Sequence, residues 1–384
     1  MASDRLFGPS LTTPAMAAAV SDTAWLAALL RFEAALAVAE SRLGIIPAAA
    51  AQSIVASCGF ERFDVASIGV AAVSSASPVV PLVDALRRLV GKSAAEYVHH
   101  GATSQDALDT AMMLVTRDAL GVLLADLSRL AGQCASLARR HRSDPMNGRT
   151  LMQRALPITF GLKCANWLVG VLEARDYLSR LRRDRLAVQL GGAVGTLEAF
   201  GERGFDLVEA LANELDLQAP AVPWHTVRTR IGELAAGLAL AAGAAAKVAL
   251  DIVLMAQSEV GEVLEASPGR SSSMPHKQNP AHAVEARAAF AGAIAQAGVL
   301  LGSIPGEHER AAGSWQAEWP ALTEAFRVTA GVVNRATEAV TGLRVDTARM
   351  RENLPPDQRS PVDVGLADAI IDRALAMYSK EESE

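Results

Sequence analysis

The chain has few cysteines, few aromatic residues and no excess of positive charge. Its three cysteines, Cys58, Cys134 and Cys164, lie far apart and form no C-x-x-C pair. This spacing argues against a disulfide framework and a cysteine zinc site, and it predicts free thiols in a reducing cytosol. The net charge of −6 gives no support for binding to nucleic acid.

Targeting and membrane signals are also lacking. Residues 1–9 do not show the basic and then apolar order of a signal peptide, which predicts a cytoplasmic location. The most apolar stretch, residues 234–246, is 13 residues long without a charge, whereas a membrane span needs roughly 20. We therefore expect a buried bundle helix at this stretch and no interaction with a membrane.

A glycine-rich phosphate loop is missing as well. Residues 191–195, G-G-A-V-G, follow no predicted strand, so we reject a dinucleotide-binding motif. We expect these glycines to end a helix and to form a tight loop. His282 and Glu285 share a helix face, but one such pair is weak evidence for a metal site, and the sequence indicates neither a metal nor a cofactor.

The composition favours helices. Only 4% of the residues are aromatic, while Ala and Leu, both strong helix formers, are abundant. We predict an all-α fold, and the length of 384 residues indicates more than one domain. The predicted parts are an N-terminal helical domain, a central long-helix domain and a short C-terminal helical segment, at residues 1–98, 99–341 and 342–384.

Apolar periodicity predicts an N-terminal helix that Ser21 or Asp22 caps and Gly44 ends, with shorter helices at 48–58 and 81–90. Longer helices follow. Their predicted ranges are 110–141, 158–190, 227–266, 281–303 and 321–341. The helix at 227–266 would span roughly 60 Å, and apolar residues cover nearly all of its faces between residues 234 and 255. A helix this long and apolar predicts an oligomer built around a multi-helix bundle.

Two polar segments break the helical pattern. Residues 267–280 place three serines, a lysine and an asparagine between two prolines, which suits anion binding and a small general base. A plain polar loop explains this composition equally well. Residues 99–106, H-H-G-A-T-S-Q-D, precede a helix with Ser104 or Asp106 as its cap. That N-terminus could receive a carboxylate, although capping alone is the simpler interpretation.

Residues 271–280, S-S-S-M-P-H-K-Q-N-P, resemble the S-S-x-M-P-x-K-x-N-P signature of the fumarase/aspartase superfamily. That family includes argininosuccinate and adenylosuccinate lyases and 3-carboxy-cis,cis-muconate cycloisomerases. Residues 99–110 and 148–153 resemble its two other signature regions, in the same order. The resemblance implies a homotetramer with a multi-helix core, whose active sites are each assembled from three subunits.

Further segments resemble the cycloisomerases in particular. These are residues 103–110, 192–197 with 223–226, and 307–310 with 315–319. One departure is informative: the lyases carry a proton-transferring histidine in a T-H-x-Q motif, whereas Leu151 takes that place here. Loss of an amine usually needs such an acid. A carboxylate that adds to a C=C bond of its own molecule needs only one group to protonate carbon, so Leu151 favours cycloisomerisation.

The resemblance also implies roles for individual residues. Ser271 or Ser272 would transfer the proton at carbon, and His99 is a candidate second proton-transfer group. The implied substrate-binding residues are Thr103, Ser104, Gln105, Gln153, Arg270, Lys277, Asn279, His308 and Arg310. Arg270 stands where the family usually has glycine, which indicates either a contact to a carboxylate or a changed choice of substrate.

The implied reaction converts 3-carboxy-cis,cis-muconate to a carboxymuconolactone in protocatechuate (β-ketoadipate) catabolism. Three alternatives stay open: action on a sulfonated muconate, a fumarate-releasing reaction of the adenylosuccinate or argininosuccinate lyase type, and a non-catalytic structural tetramer. Arg228 and Arg230 either bind substrate or pair with acidic residues. Few residues separate Asn353 from a final helix at 364–378, which implies a shortened C-terminal domain.

Overall fold

The computed structural model describes residues 6–360 and 362–381. The first part of the chain contains one long helix among short ones. These are α1 (Gly8–Leu11), α2 (Pro14–Ala19), α3 (Asp22–Arg42), α4 (Ala48–Ser57), α5 (Val65–Ala72) and α6 (Val79–Val90). Helix α3 begins and ends as predicted, since Ser21 Oγ accepts the N–H of Ala24 at 3.2 Å and Gly44 follows its end with φ of +66°.

Five long helices form the centre of the fold. The helices of this second part are α7 (Ser104–Arg140), α8 (Phe160–Asp184), α9 (Gly204–Leu215), α10 (Thr229–Met255), α11 (Ala281–Gly302), α12 (Ser314–Val340), α13 (Thr347–Asn353) and α14 (Ala367–Glu381). Helix α10 packs against α8, α11 and α12, and α7 packs against α8 and α12. Buried alanines such as Ala241, Ala245 and Ala249 let the helices approach closely. The predicted all-α fold with a long-helix bundle is confirmed.

Three small antiparallel sheets interrupt the helices. Strand β1 (Pro145–Thr150) pairs with β2 (Gln153–Thr159), β3 (Val263–Leu264) with β6 (Arg344–Val345), and β4 (Gly269–Arg270) with β5 (Gln278–Asn279). The β1–β2 and β4–β5 hairpins carry two of the segments that resemble the superfamily. The sequence did not predict the first hairpin, because Leu151 and Met152 form its turn at φ of +50° and +66° without a glycine or asparagine.

The helix predicted to end at residue 190 ends at Asp184 instead. Residues 186–190 are buried and non-helical, and Ala187 bridges to Gln218. The glycines at 191–195 therefore do not end the helix, and that prediction is wrong. They do form the expected tight loop.

The bounds of other helices also differ from the prediction. Helix α10 ends at Met255 rather than near residue 266, so its 27 residues span about 40 Å. Helix α12 begins at Ser314, earlier than residue 321, and continues through Pro320. Its first turn is held by buried Trp315, whose Nε1 donates to Asp109 Oδ1 at 3.0 Å.

Among the described residues, three helical stretches are long and apolar enough to cross a membrane by length and composition alone: Pro14–Arg42, Thr229–Met255 and Ala281–Gly302. The 13-residue run in the sequence therefore underestimates the apolar length of α10. Only 28% of the apolar window of α11 is buried within the chain. Val284 and Ile294 on this helix are 50% and 45% exposed. The described part of the chain thus leaves an apolar face of α11 uncovered.

Candidate active site

The N-terminus of α7 is tied to the glycine loop by Asp106. Thr103 is the N-cap residue, so the prediction of Ser104 or Asp106 as the cap is wrong. The Asp106 carboxylate accepts the N–H groups of Thr103 at 3.0 Å and Gly192 at 2.9 Å, and its second oxygen lies 2.7 Å from His225 Nε2. Gly192 has φ of +72°, a conformation that suits glycine.

Arg310 joins two of the predicted substrate-binding residues at this helix end. Its Nη1 donates to Thr103 Oγ1 at 2.9 Å, Nε to Gln105 Oε1 at 3.3 Å, and Nη2 to the carbonyl of Ala193 at 3.0 Å. Arg310 is half-buried, and Ser104 is the half-buried first residue of α7. This arrangement fixes a guanidinium at a helix N-terminus, where a carboxylate would be attracted by both.

A buried ionic network lies beneath this guanidinium. Gln105 Nε2 donates to Asp109 Oδ2 at 3.1 Å and to the carbonyl of His225 at 2.8 Å, which turns the amide oxygen towards Arg310. Asp109 is paired with Arg228. The sequence predicted Arg228 either as a substrate ligand or as a partner of acidic residues, and the structure places it with acidic residues.

Glu318 completes this network. Arg228 Nε donates to Glu318 Oε1 at 3.0 Å, and Nη2 contacts the other oxygen. Burial raises the pKa of Glu318 to about 7, against the opposite effect of Arg228. Asp109 and Glu318 lie in two of the segments that resemble the cycloisomerases, but the sequence did not assign them a role. Charged residues inside apolar helical segments are a usable signal for such a network, since buried charges must find partners.

His99 is anchored to α3 and lies outside the Arg310 cluster. Its Nδ1 lies 2.6 Å from Glu33 Oε1, and its backbone has φ of +58°. Burial lowers the pKa of His99, but the charge and the hydrogen bond of Glu33 together raise it by a larger amount. The pKa therefore lies above its usual value. The neighbouring His100 makes a matching contact of 2.7 Å to Glu40.

The β1–β2 hairpin forms one wall of a cleft of about 450 Å³. The cleft is lined by Arg149, Met152, Gln153, Arg154, Glu259, Val260 and Asn353. Arg149 is held by two hydrogen bonds to buried Glu262, at 2.7 and 3.0 Å, and Asn353 Nδ2 donates to the same carboxylate at 3.0 Å. Leu151 at the turn is 96% exposed. Gln153 therefore faces a cleft of its own, away from Thr103.

The serine-rich segment is the tip of the β4–β5 hairpin. Ser271 Oγ accepts the N–H groups of Ser273 at 3.4 Å and Met274 at 3.1 Å. Asn279 Nδ2 donates to the carbonyl of Gly269 at 3.4 Å and so fastens the base of the hairpin. The remaining predicted residues of the segment are exposed: Arg270, Ser272 and Lys277.

Within the described residues, the three segments form separate polar clusters with no hydrogen bond between them. In the parts of the chain that the structure describes, no hydrogen bond or ion pair joins the β4–β5 tip to the Gln153 cleft or to Arg310. His308 is exposed, and its backbone carbonyl accepts the hydroxyl of Thr226 at 2.9 Å. Across residues 6–360 and 362–381, His, Cys, Asp and Glu side chains form no group of three that could hold a metal ion.

Comparison with known proteins identifies relatives of one enzyme family. A family model described as lyase matches residues 10–295. A 3-carboxy-cis,cis-muconate cycloisomerase of Bradyrhizobium diazoefficiens is 47% identical, across 91% of this chain and 79% of that relative. A nitrosuccinate lyase of Streptomyces davaonensis is 46% identical, across 91% and 76%. The crystal structure of 3-carboxy-cis,cis-muconate lactonizing enzyme from Pseudomonas putida matches at a TM-score of 0.85 and 40% identity, covering 98% of this chain and 86% of that one.

Proposed function

The chain belongs to the lyase family of the fumarase/aspartase superfamily, and on this premise we propose that it is a cytoplasmic cycloisomerase of 3-carboxy-cis,cis-muconate. One carboxylate of the substrate adds to a C=C bond of the same molecule and forms the lactone C–O bond. The adjacent carbon takes up a proton. The product is a carboxymuconolactone, as in protocatechuate catabolism. The group that protonates carbon regains its proton from solvent, so no other co-reactant is needed.

Leu151 is the observation that carries this proposal. It stands at the tip of the β1–β2 hairpin, 96% exposed and two positions before Gln153. A side chain at the tip is well placed to reach the leaving group of a bound substrate. Leucine cannot protonate that group, so a reaction that releases an amine lacks its acid here. Lactonisation has no such requirement, because the attacking carboxylate brings no proton to remove.

The reaction also requires groups that bind the carboxylates of the substrate, and three polar residues provide them. Arg310, held by Thr103 and Gln105, binds one carboxylate of the substrate, and Lys277 binds another. These fixed cations stabilise the charge that shifts between carboxylate and carbon during addition. Gln153 orients the substrate from its cleft.

Ser271 transfers the proton in this proposal. A serine hydroxyl is a poor acid or base unless donors stabilise its alkoxide. Ser271 Oγ already accepts two backbone N–H groups, from Ser273 and Met274, whereas the adjacent Ser272 is exposed. This difference favours Ser271 over Ser272 as the residue that transfers the proton. His99, whose pKa is raised by the charge and hydrogen bond of Glu33 against the effect of burial, serves as a second proton-transfer group.

A homotetramer with shared active sites accounts for two features of the chain. Within the described residues of one copy, no hydrogen bond or ion pair joins the three polar segments, which favours a site that takes each of them from a different copy. The apolar face of α11, with Val284 and Ile294 exposed, also needs a cover. Packing of several copies around α10 and α11 meets both needs. It is an alternative to membrane insertion as the reason why these helices are long and apolar.

Elimination of nitrite from nitrosuccinate is a second candidate, because Leu151 permits it too. Nitrite is a weak base and departs without protonation, unlike an amine. A relative at 46% identity is named nitrosuccinate lyase. Action on a sulfonated muconate is a variant of the first candidate, since a sulfonate also suits exposed Arg270 on the β4–β5 hairpin.

The test compares these substrates on the purified protein. We expect 3-carboxy-cis,cis-muconate to lose its ultraviolet diene absorbance, with a carboxymuconolactone as the product by NMR. Nitrosuccinate is assayed in parallel for nitrite release, and 3-sulfomuconate for diene loss. Nitrite release without turnover of the carboxymuconate would overturn the cycloisomerase proposal in favour of the second candidate. Inactivity on all three substrates would leave the structural-tetramer interpretation.

A further inference from the structure

Arg149 and Arg154 lie directly opposite each other on the β1–β2 hairpin. Like charges in this position repel and destabilise a strand pair. Arg149 has its own partner, the buried Glu262 carboxylate. Arg154 is exposed, and within the described residues no carboxylate forms an ion pair with it. The hairpin therefore carries a positive charge that its own chain does not neutralise.

The surroundings of Arg154 suit a small anion. The residue follows Gln153 and lines the same cleft of about 450 Å³, which is large enough for a small organic acid. A guanidinium beside an amide matches a planar carboxylate or a sulfonate, which accept two parallel hydrogen bonds. Glu259 lies at the cleft as well, but it is exposed and forms no ion pair with Arg154.

We infer that Arg154 binds the third anionic group of the substrate and so selects trianionic over dianionic substrates. This inference rests on the proposed function and adds a specificity residue to it. Arg310 and Lys277 each take one carboxylate, which is enough for a succinate-type dianion. A third unpaired cation gains a partner only when the substrate brings a third negative group, as carboxymuconate and sulfomuconate do. A dianion leaves Arg154 without an anionic partner.

Steady-state kinetics of Arg154→Gln on 3-carboxy-cis,cis-muconate and on cis,cis-muconate test this inference. The tricarboxylate should lose about 10- to 100-fold in kcat/KM, mainly through a higher KM, because one charge-assisted contact is lost. The value for the dicarboxylate should change less than about threefold. Arg154→Lys keeps the charge without the fork and should lie between wild type and Arg154→Gln. Arg140→Gln, an exposed arginine at the end of α7, serves as the matched control.

Two further measurements distinguish a role of Arg154 in substrate recognition from a role in the stability of the fold. Calorimetric binding of tricarballylate, an unreactive trianion, should weaken in Arg154→Gln by the same factor as kcat/KM, while glutarate binding should not change. The melting temperature should stay equal or rise, since the repulsion from Arg149 is relieved. A fall in melting temperature with equal losses on both substrates would show a structural role and overturn the inference.

The failures of the two proposals are distinguishable. If the wild-type protein does not turn over carboxymuconate, the proposed function fails, and tricarballylate binding still decides the role of Arg154. If the wild type is active and Arg154→Gln matches it on the tricarboxylate, the proposed function stands and this inference is wrong.

Discussion

Arg228 and Asp109 form a two-point ion pair in the interior of the fold, with Nη1–Oδ2 at 2.7 Å and Nη2–Oδ1 at 3.1 Å. Both side chains are almost completely buried, and the same guanidinium also holds Glu318. Because Asp109 accepts a hydrogen bond from Gln105, the pair also orients the amide that contacts Arg310. One buried arginine thus supports both the packing of α12 against α7 and the geometry of the candidate site.

Replacing Arg228 by methionine should destabilise the protein strongly. Asp109 and Glu318 would then be two buried carboxylates without a cation, and breaking a buried pair typically costs about 3–5 kcal/mol. Arg183→Met is the matched control, since Arg183 pairs with Asp184 on the surface, where a pair contributes about 0–1 kcal/mol. Urea unfolding of both variants measures the difference. Equal losses in the free energy of unfolding of the two variants would contradict the explanation by a buried ionic network.

The Glu40 carboxyl predicts a pH-dependent stability. Burial raises its pKa from 4.5 to about 7, and the hydrogen bond to His100 only partly offsets this. Its contribution to folding is therefore complete below about pH 4.5 and is lost as the pH rises to about 7. Glu40→Gln removes this loss. The free energy of unfolding of the variant minus that of wild type should rise by up to about 3 kcal/mol over this range, and denaturant unfolding at several pH values measures it. A flat difference would show that Glu40 does not titrate there.

Arg310→Gln should weaken substrate binding more than it slows the reaction. The change keeps a hydrogen-bonding side chain beside Thr103 but removes the charge that attracts a carboxylate. We expect KM for 3-carboxy-cis,cis-muconate to rise about 10- to 100-fold, as for the loss of one charge-assisted pair. Arg310→Lys should be intermediate, because lysine keeps the charge without the planar fork. An unchanged KM in the glutamine variant would remove Arg310 from the substrate site.

Local signals explain what the sequence could predict of the fold. The cap at Ser21, the glycine after α3 and the start of α11 after Pro280 each lie within one turn of the helix end that they determine. The end of α8 at Asp184 has no such signal, since Gln218 and the loop after α9 set the path of the next residues. The domain limits at residues 98 and 341 stay predictions.

The candidate site was also predictable only where local sequence signals exist. The motifs predicted candidate site residues, and three of them, Thr103, Gln105 and Arg310, contact one another in the structure. The chemical roles of these residues stay predictions. Thr103 and Arg310 are 207 positions apart, so no periodicity could have paired them. The hairpin turn at Leu151 was also beyond prediction, because it uses positive φ angles at residue types that rarely adopt them.

Separate alanine variants of Ser271 and Ser272 test the proton-transfer assignment. Ser271→Ala should lower kcat by about 10²- to 10⁴-fold, the usual loss when a proton-transfer group is removed. Ser272→Ala is the matched control one residue away and should keep kcat within about tenfold, since its side chain is exposed. KM should change little in both. Full kcat in Ser271→Ala would remove that serine from the mechanism, and loss only in Ser272→Ala would move the role to its neighbour.

Ile294→Glu should break the proposed tetramer. Ile294 is 45% exposed on the apolar face of α11, and a carboxylate there would be buried without a partner when copies pack together. We expect sedimentation equilibrium to give four times the chain mass for wild type and a smaller species for the variant, with helical circular dichroism retained. Activity should fall with the mass, because a separated chain does not bring Ser271 to Arg310. Val73→Glu is the matched control, since Val73 is 84% exposed but lies just after α5, away from this face. A wild-type chain that is monomeric in solution would contradict the tetramer, whereas partitioning into lipid vesicles would favour membrane insertion of these helices.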